Sequence, residues 1–109
     1  MADKVLELND ANWASEVMGS REPVLIDFWA GWCVPCKTLS PIVESIATEL
    51  AGRLKVGKLD VQENEKVPMQ YDVRTLPTLL LIKGGQVVEQ RVGLMTRDNL
   101  MKLLTPHLA

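Results

Sequence analysis

Val24-Leu25-Ile26-Asp27-Phe28-Trp29-Ala30-Gly31-Trp32-Cys33-Val34-Pro35-Cys36-Lys37 is the stretch that decides the architecture. It opens almost wholly apolar. A strand alternates apolar and polar residues when one face meets water, and loses that alternation when helices cover both faces, as in a parallel sheet. Asp27 is the anomaly inside the run. Beyond Cys33 the period changes. Leu39, Ile42, Val43, Ile46 and Leu50 recur at steps of three and four, which predicts an amphipathic helix over residues 34–51, closed by Gly52. Pro35 suits the first turn of that helix, where its missing N–H costs nothing, whereas Pro41 inside it predicts a kink.

Working outward, Val5-Leu6-Glu7-Leu8 reads as a short strand. Asn9, Asp10 and Asn12 offer caps to a helix over residues 13–18 that Gly19 can end. Residues 54–61 read as a second buried strand, and Asn64 is placed to cap a short helix running to Tyr71, with Pro68 making its first turn irregular. Residues 78–82 and 86–92 read as strands separated by Lys83-Gly84-Gly85; paired glycines suit a tight hairpin because both accept positive φ. Thr96 or Asp98 caps a last helix whose apolar face is Leu100, Leu103 and Leu104. The order β-α-β-α-β-α-β-β-α predicts an α/β fold with a parallel core, right-handed crossovers, helices on both faces, and antiparallel strands at one side.

The 109 residues suit one domain spanning 1–109. With 47% hydrophobic and 24% charged residues, the composition is that of a soluble globular chain and argues against a disordered or fibrous one. Twelve basic and 14 acidic residues leave a net charge of −2, which gives no field for nucleic acid or an anionic membrane. No apolar run approaches the roughly 18 residues of a membrane helix. Met1-Ala2-Asp3-Lys4 lacks the basic start and apolar stretch of a signal peptide, so a cytoplasmic location is expected; a mature exported chain with an added Met would read the same. No G-x-G-x-x-G occurs and Gly84-Gly85 lacks a phosphate-loop context, so no nicotinamide or flavin cofactor is expected.

The chemistry centres on Cys33 and Cys36. Two cysteines two residues apart at a helix start can close a small ring. The first-turn N–H groups and the helix dipole favour a thiolate on Cys33, and a thiolate is the attacking form in thiol–disulfide exchange. Cys36 lies about one turn on, placed to resolve a mixed disulfide. Inert core thiols are the blander reading, against which the helix N-terminus weighs. A zinc site would need a second cysteine pair, and His107 is remote; no metal is expected, a site bridging two chains being the minor alternative. For Asp27, a satisfied structural carboxylate is the first expectation, yet its desolvation should raise its pKa.

Six segments carry a wider resemblance: Asp27-Phe28-Trp29-Ala30, Trp32-Cys33-x-Pro35-Cys36-Lys37, Lys58-Leu59-Asp60-Val61, Thr75-Leu76-Pro77-Thr78, Lys83-Gly84-Gly85 and Val92-Gly93. In order and spacing the chain resembles the thioredoxin family over nearly its whole length. The resemblance implies the thioredoxin fold: a single domain whose five-stranded mixed sheet, ordered 1-3-2-4-5, is flanked by four helices. It implies a protein-disulfide reductase in which Cys33 attacks, Cys36 resolves, Asp27 moves protons to and from Cys36, and Lys58 lies near Asp27. It implies a cis Leu76–Pro77 bond opposite the cysteines, against a general cis frequency of about 5–6%. Gly93 would let substrate backbone approach, and Trp32, Val34, Pro35, Leu76, Pro77, Val92, Gly93 and Leu94 would form the substrate-binding rim. Trp29 is assigned mostly to packing, and Lys37 to a solvated position with a modest effect on the thiols. The implied partners are protein disulfide substrates and a thioredoxin reductase as electron donor, with a monomer expected and no cofactor.

Two departures stand out. Val34 replaces the family's usual Gly at a position that tunes redox poise, and Leu76 replaces the usual Ile. Two other readings stay open. An oxidase or isomerase of the disulfide-isomerase kind shares the chemistry, although the N-terminus and the Trp-Cys-x-Pro-Cys pattern weigh against it. A binding module would use the apolar rim for docking without needing either sulfur.

Overall fold

The structure is a computed structural model that describes residues 4–108. Most of the Met1-Ala2-Asp3-Lys4 reading and both ends of the expected 1–109 domain lie outside the described residues. The elements are β1 (Val5–Leu8), a π-helical segment (Ala14–Met18), β2 (Val24–Trp29), α1 (Val34–Glu49), β3 (Lys55–Asp60), α2 (Lys66–Gln70), β4 (Thr78–Lys83), β5 (Gln86–Val92), α3 (Arg97–Leu104) and a 3-10 turn (Thr105–His107). The strands form one sheet in the order β1-β3-β2-β4-β5, as the resemblance implied. β1 and β2 run parallel to β3, whereas β2 with β4 and β4 with β5 are antiparallel.

β2 is the middle strand, which is why its sequence does not alternate: both of its faces are covered. Leu25 joins Val56, Leu79 and Leu81 beneath Leu39, Val43 and Ile46 of α1 and Leu100 and Leu104 of α3. Ile26 and Phe28 point the other way, to Leu59, Leu80, Trp13, Val17 and Val67. Successive β2 side chains therefore feed two separate cores. Each fully buried side chain of this size contributes about 1.5–3 kcal/mol relative to exposure. The α1 period holds, but the helix stops at Glu49 rather than at residue 51. Leu50 is its C-cap, and Gly52, at φ 89°, turns the chain away. The hairpin turn is as expected, with Gly84 at φ 61° and Gly85 at φ 78°.

The helix caps differ from expectation in an informative way. Asn9 and Asn12 each accept the other's backbone N–H, at 2.7 and 2.8 Å, while the π-helical segment has no side-chain cap. Asp10 caps a helix, but a distant one: its carboxylate accepts the N–H groups of Glu65, Lys66 and Val67 at 3.1, 3.1 and 2.9 Å. Asn64 does not cap α2; it accepts from the Asp10 N–H and donates to the Asp60 carbonyl. Burial pushes the Asp10 carboxyl up, but the bonds from Val67, Lys66 and Glu65 and the Lys66 charge together outweigh this and hold it below its usual value. Asp10→Ala is expected to destabilise the fold by about 1–2 kcal/mol, as for other lost caps, measured by urea denaturation. An unchanged midpoint would mean that water serves those three N–H groups equally well. At α3 the cap is Thr96, whose Oγ1 accepts from Asn99 N–H at 3.1 Å, and not Asp98. Among the described residues no helix is long and apolar enough to cross a membrane.

Candidate functional site

The sheet topology brings three chain segments to one place. Phe28 near the end of β2 pairs with Thr78 at the start of β4, and Thr78 pairs with Val92 at the end of β5. The loop leaving β2, the loop entering β4 and the loop leaving β5 therefore meet at the same end of the sheet. The first carries the cysteines. The second carries Leu76–Pro77, which is cis as expected. The third carries Gly93, whose N–H donates to the Pro77 carbonyl at 2.8 Å and whose φ of 97° favours glycine.

Cys33 is the N-cap of α1, and Val34 and Pro35 open its first turn. Cys33 and Cys36 are joined in a disulfide, with their Cα atoms 5.3 Å apart. Cys33 Sγ accepts the Cys36 N–H at 3.2 Å, the role an N-cap oxygen usually plays. When the bond is reduced, that donor and the helix dipole stabilise negative charge on Cys33. Both cysteines are only 3% exposed, whereas Trp32 is 66%, Val34 69%, Val92 59% and Leu94 52% exposed. Pro35 is also exposed, Leu76 and Gly93 are half-buried and Pro77 is buried. The cysteines are thus recessed among exposed apolar side chains, a surface suited to protein contact.

Behind Cys36 lies a cavity of about 330 Å³, lined also by Trp29, Lys37, Ser40 and Lys58; Cys33 does not line it. Asp27 is fully buried nearby in β2, and neither carboxylate oxygen has a hydrogen-bond partner. The expectation of a satisfied structural carboxylate is therefore not met. Burial pushes its carboxyl up to about 7, against the downward pull of the Lys58 charge. Lys58 is the β3 register partner of Asp27, so the two are neighbours as expected. Their interaction is through the field and not through contact. The Lys58 ammonium donates to Ser40 Oγ at 2.7 Å and stands 4.8 Å from the Trp29 ring centroid. Trp29 therefore does more than pack against the loop. Ser40 escaped the sequence reading, although its position four residues after Cys36 puts it one turn on along the same helix face.

Comparison with known proteins agrees with this geometry. Residues 4–106 match the family model for thioredoxin. Thioredoxin of Haemophilus influenzae is 45% identical over 105 residues, which cover 96% of this chain and 98% of that protein. Thioredoxin of Acidithiobacillus ferridurans is 44% identical over 108 residues, covering 99% and 100%. Thioredoxin 1 of Nostoc sp. is 42% identical over 102 residues, covering 94% and 95%. A similarity that runs through every strand, together with a cysteine pair closed at the start of α1, makes dithiol–disulfide exchange the chemistry of this site. The chain belongs to the thioredoxin family.

Proposed function

We propose that the chain reduces disulfides of other proteins, as a cytoplasmic monomer, and is itself re-reduced by a thioredoxin reductase. The observation that carries this reading is the Cys36 N–H directed at Cys33 Sγ, which distinguishes the two sulfurs. Cys33 as thiolate attacks one sulfur of a substrate disulfide; a mixed disulfide forms and the other substrate sulfur leaves as a thiolate. Cys36 gives its proton to the Asp27 carboxylate, directly or through water in the cavity, and attacks Cys33 Sγ. The second substrate sulfur leaves, and two electrons have passed from the dithiol to the substrate. Lys58 supplies positive charge beside these anions. Trp32, Val34, Pro35, Leu76, Pro77, Val92, Gly93 and Leu94 form the substrate rim. The reductase returns two electrons and the Cys33–Cys36 thiols are restored.

The test is turnover of a protein disulfide in the presence of a thioredoxin reductase, with the protein and its Cys33→Ser/Cys36→Ser double variant. Catalytic turnover that needs the reductase and both sulfurs is expected. Without the reductase, one equivalent of substrate is reduced and no more. Function surviving in the double variant would instead mark a docking module.

A further inference from the structure

Three charged residues stand in one row across the sheet. Glu7 of β1 and Asp27 of β2 are both register partners of Lys58 in β3, so all three side chains share the face covered by α1. Neighbouring strands are about 4.8 Å apart, so a lysine between two carboxylates is placed to pair with either. The Lys58 ammonium is bonded to neither; its bond goes to Ser40 Oγ, and it rests over Trp29. Two spaces adjoin this lysine. One is the cavity it shares with Ser40 and Cys36. The other, about 650 Å³, is lined also by Glu7, Asp60 and Glu63, three carboxylates that would draw an ammonium away from Cys36. The ammonium is nevertheless bonded on the Cys36 side, to the Ser40 hydroxyl.

We propose that Ser40 is a positioning residue whose hydroxyl holds the Lys58 ammonium in the cavity behind Cys36, beside Asp27, and so keeps positive charge next to the Asp27 carboxylate before it takes the proton and next to Cys36 as it becomes anionic while the mixed disulfide is resolved. A neutral acceptor suits this task, because a carboxylate in its place would cancel the charge it holds. The other ionisable groups around the row do not replace Lys58. Lys37 lines the cavity but is exposed to solvent, and Glu44 lies one turn beyond Ser40 on α1. Opposite Asp27, β4 contributes Leu79, which carries no charge.

This inference rests on the reading of Asp27 as proton acceptor, and the experiment separates the two. The Asp27 carboxyl is titrated in the reduced protein by carbon-13 NMR, and resolution of a mixed disulfide is timed at pH 7. Ser40→Ala is expected to release the ammonium toward Glu7 and water. The Asp27 midpoint should then rise by about 0.5 pH unit, and resolution should slow about threefold. Ser40→Thr keeps a hydroxyl and should restore both values. In a Lys58→Met background, Ser40→Ala should change neither. A midpoint that stays or falls in Ser40→Ala overturns the proposal, as does a rise that persists without Lys58. If Asp27→Asn resolves the mixed disulfide at the normal rate, the proton-acceptor reading fails by itself, and a Ser40→Ala rise in the Asp27 midpoint still upholds the hold on Lys58.

Discussion

Cys33→Ser is expected to abolish disulfide reduction, by roughly 10³-fold or more, and to trap no substrate. Cys36→Ser is expected to stop one step later, with substrate covalently attached to Cys33. The asymmetry follows from the start of α1. Cys33 Sγ faces the Cys36 N–H and sits at the positive end of the helix, so its thiolate forms most readily. Cys36 lies inside the first turn and lines the cavity shared with Ser40 and Lys58, where its proton must pass to another group before it can attack. A serine at Cys36 leaves the attacking sulfur and the exposed rim intact but removes the group that releases the product. Mass spectrometry after mixing each variant with a disulfide-containing protein reads the result directly. Equal trapping by both variants would remove the assigned roles.

What could be read in advance was whatever depends on residues close in sequence. The β2 run and the α1 period declare themselves through burial on two faces and on one face respectively, and both are local patterns. The cysteine site is local as well: its N-cap, its first-turn proline and its second sulfur all fall within residues 33–36. The Asp10 cap shows the opposite case. A helix N-terminus takes any carboxylate that reaches its N–H groups, so nothing in the sequence ties Asp10 to Val67, 57 residues away. Asn64 was the natural choice by proximity, but its side chain serves Asp10 and Asp60 instead. Lys58 was placed near Asp27 by resemblance, and the parallel register of β2 and β3 bears that out. Its ammonium donates to Ser40, 18 residues earlier and on another element, a contact that no local pattern announces. The proposed rim residues before β4 and at the end of β5 were likewise suggested only by the resemblance, because they come together by strand pairing across the sheet.

Asp27→Asn is expected to make the protein more stable and less active, with both effects depending on pH. The carboxyl sits at about 7 in the fold against an ordinary value of 3.8, chiefly because burial disfavours its charged form. A carboxyl raised on folding binds its proton more tightly in the folded state. Its contribution to stability is therefore complete below 3.8 and is lost as pH rises through about 7. That displacement corresponds to about 4 kcal/mol lost at alkaline pH, as an upper bound. Asparagine carries no charge to desolvate, but its amide still lacks partners in an apolar site, so a net gain of about 2 kcal/mol at pH 8 is expected, vanishing below about pH 4. Activity moves the other way. The wild type should lose its resolving step as pH falls below about 7 and the carboxylate becomes protonated. The variant should be slower by up to about 100-fold at pH 8, with the limb near pH 7 gone, because no acceptor remains behind Cys36. Denaturation midpoints and single-turnover rates from pH 4 to 9 test both halves. Stability curves that run parallel across that range would show that Asp27 does not titrate near neutrality. An activity limb that persists in Asp27→Asn would assign the proton to another group. A buried, unpartnered carboxylate that destabilises the fold wherever it is ionised is hard to account for by packing, and proton transfer to and from Cys36 is the role we propose for it.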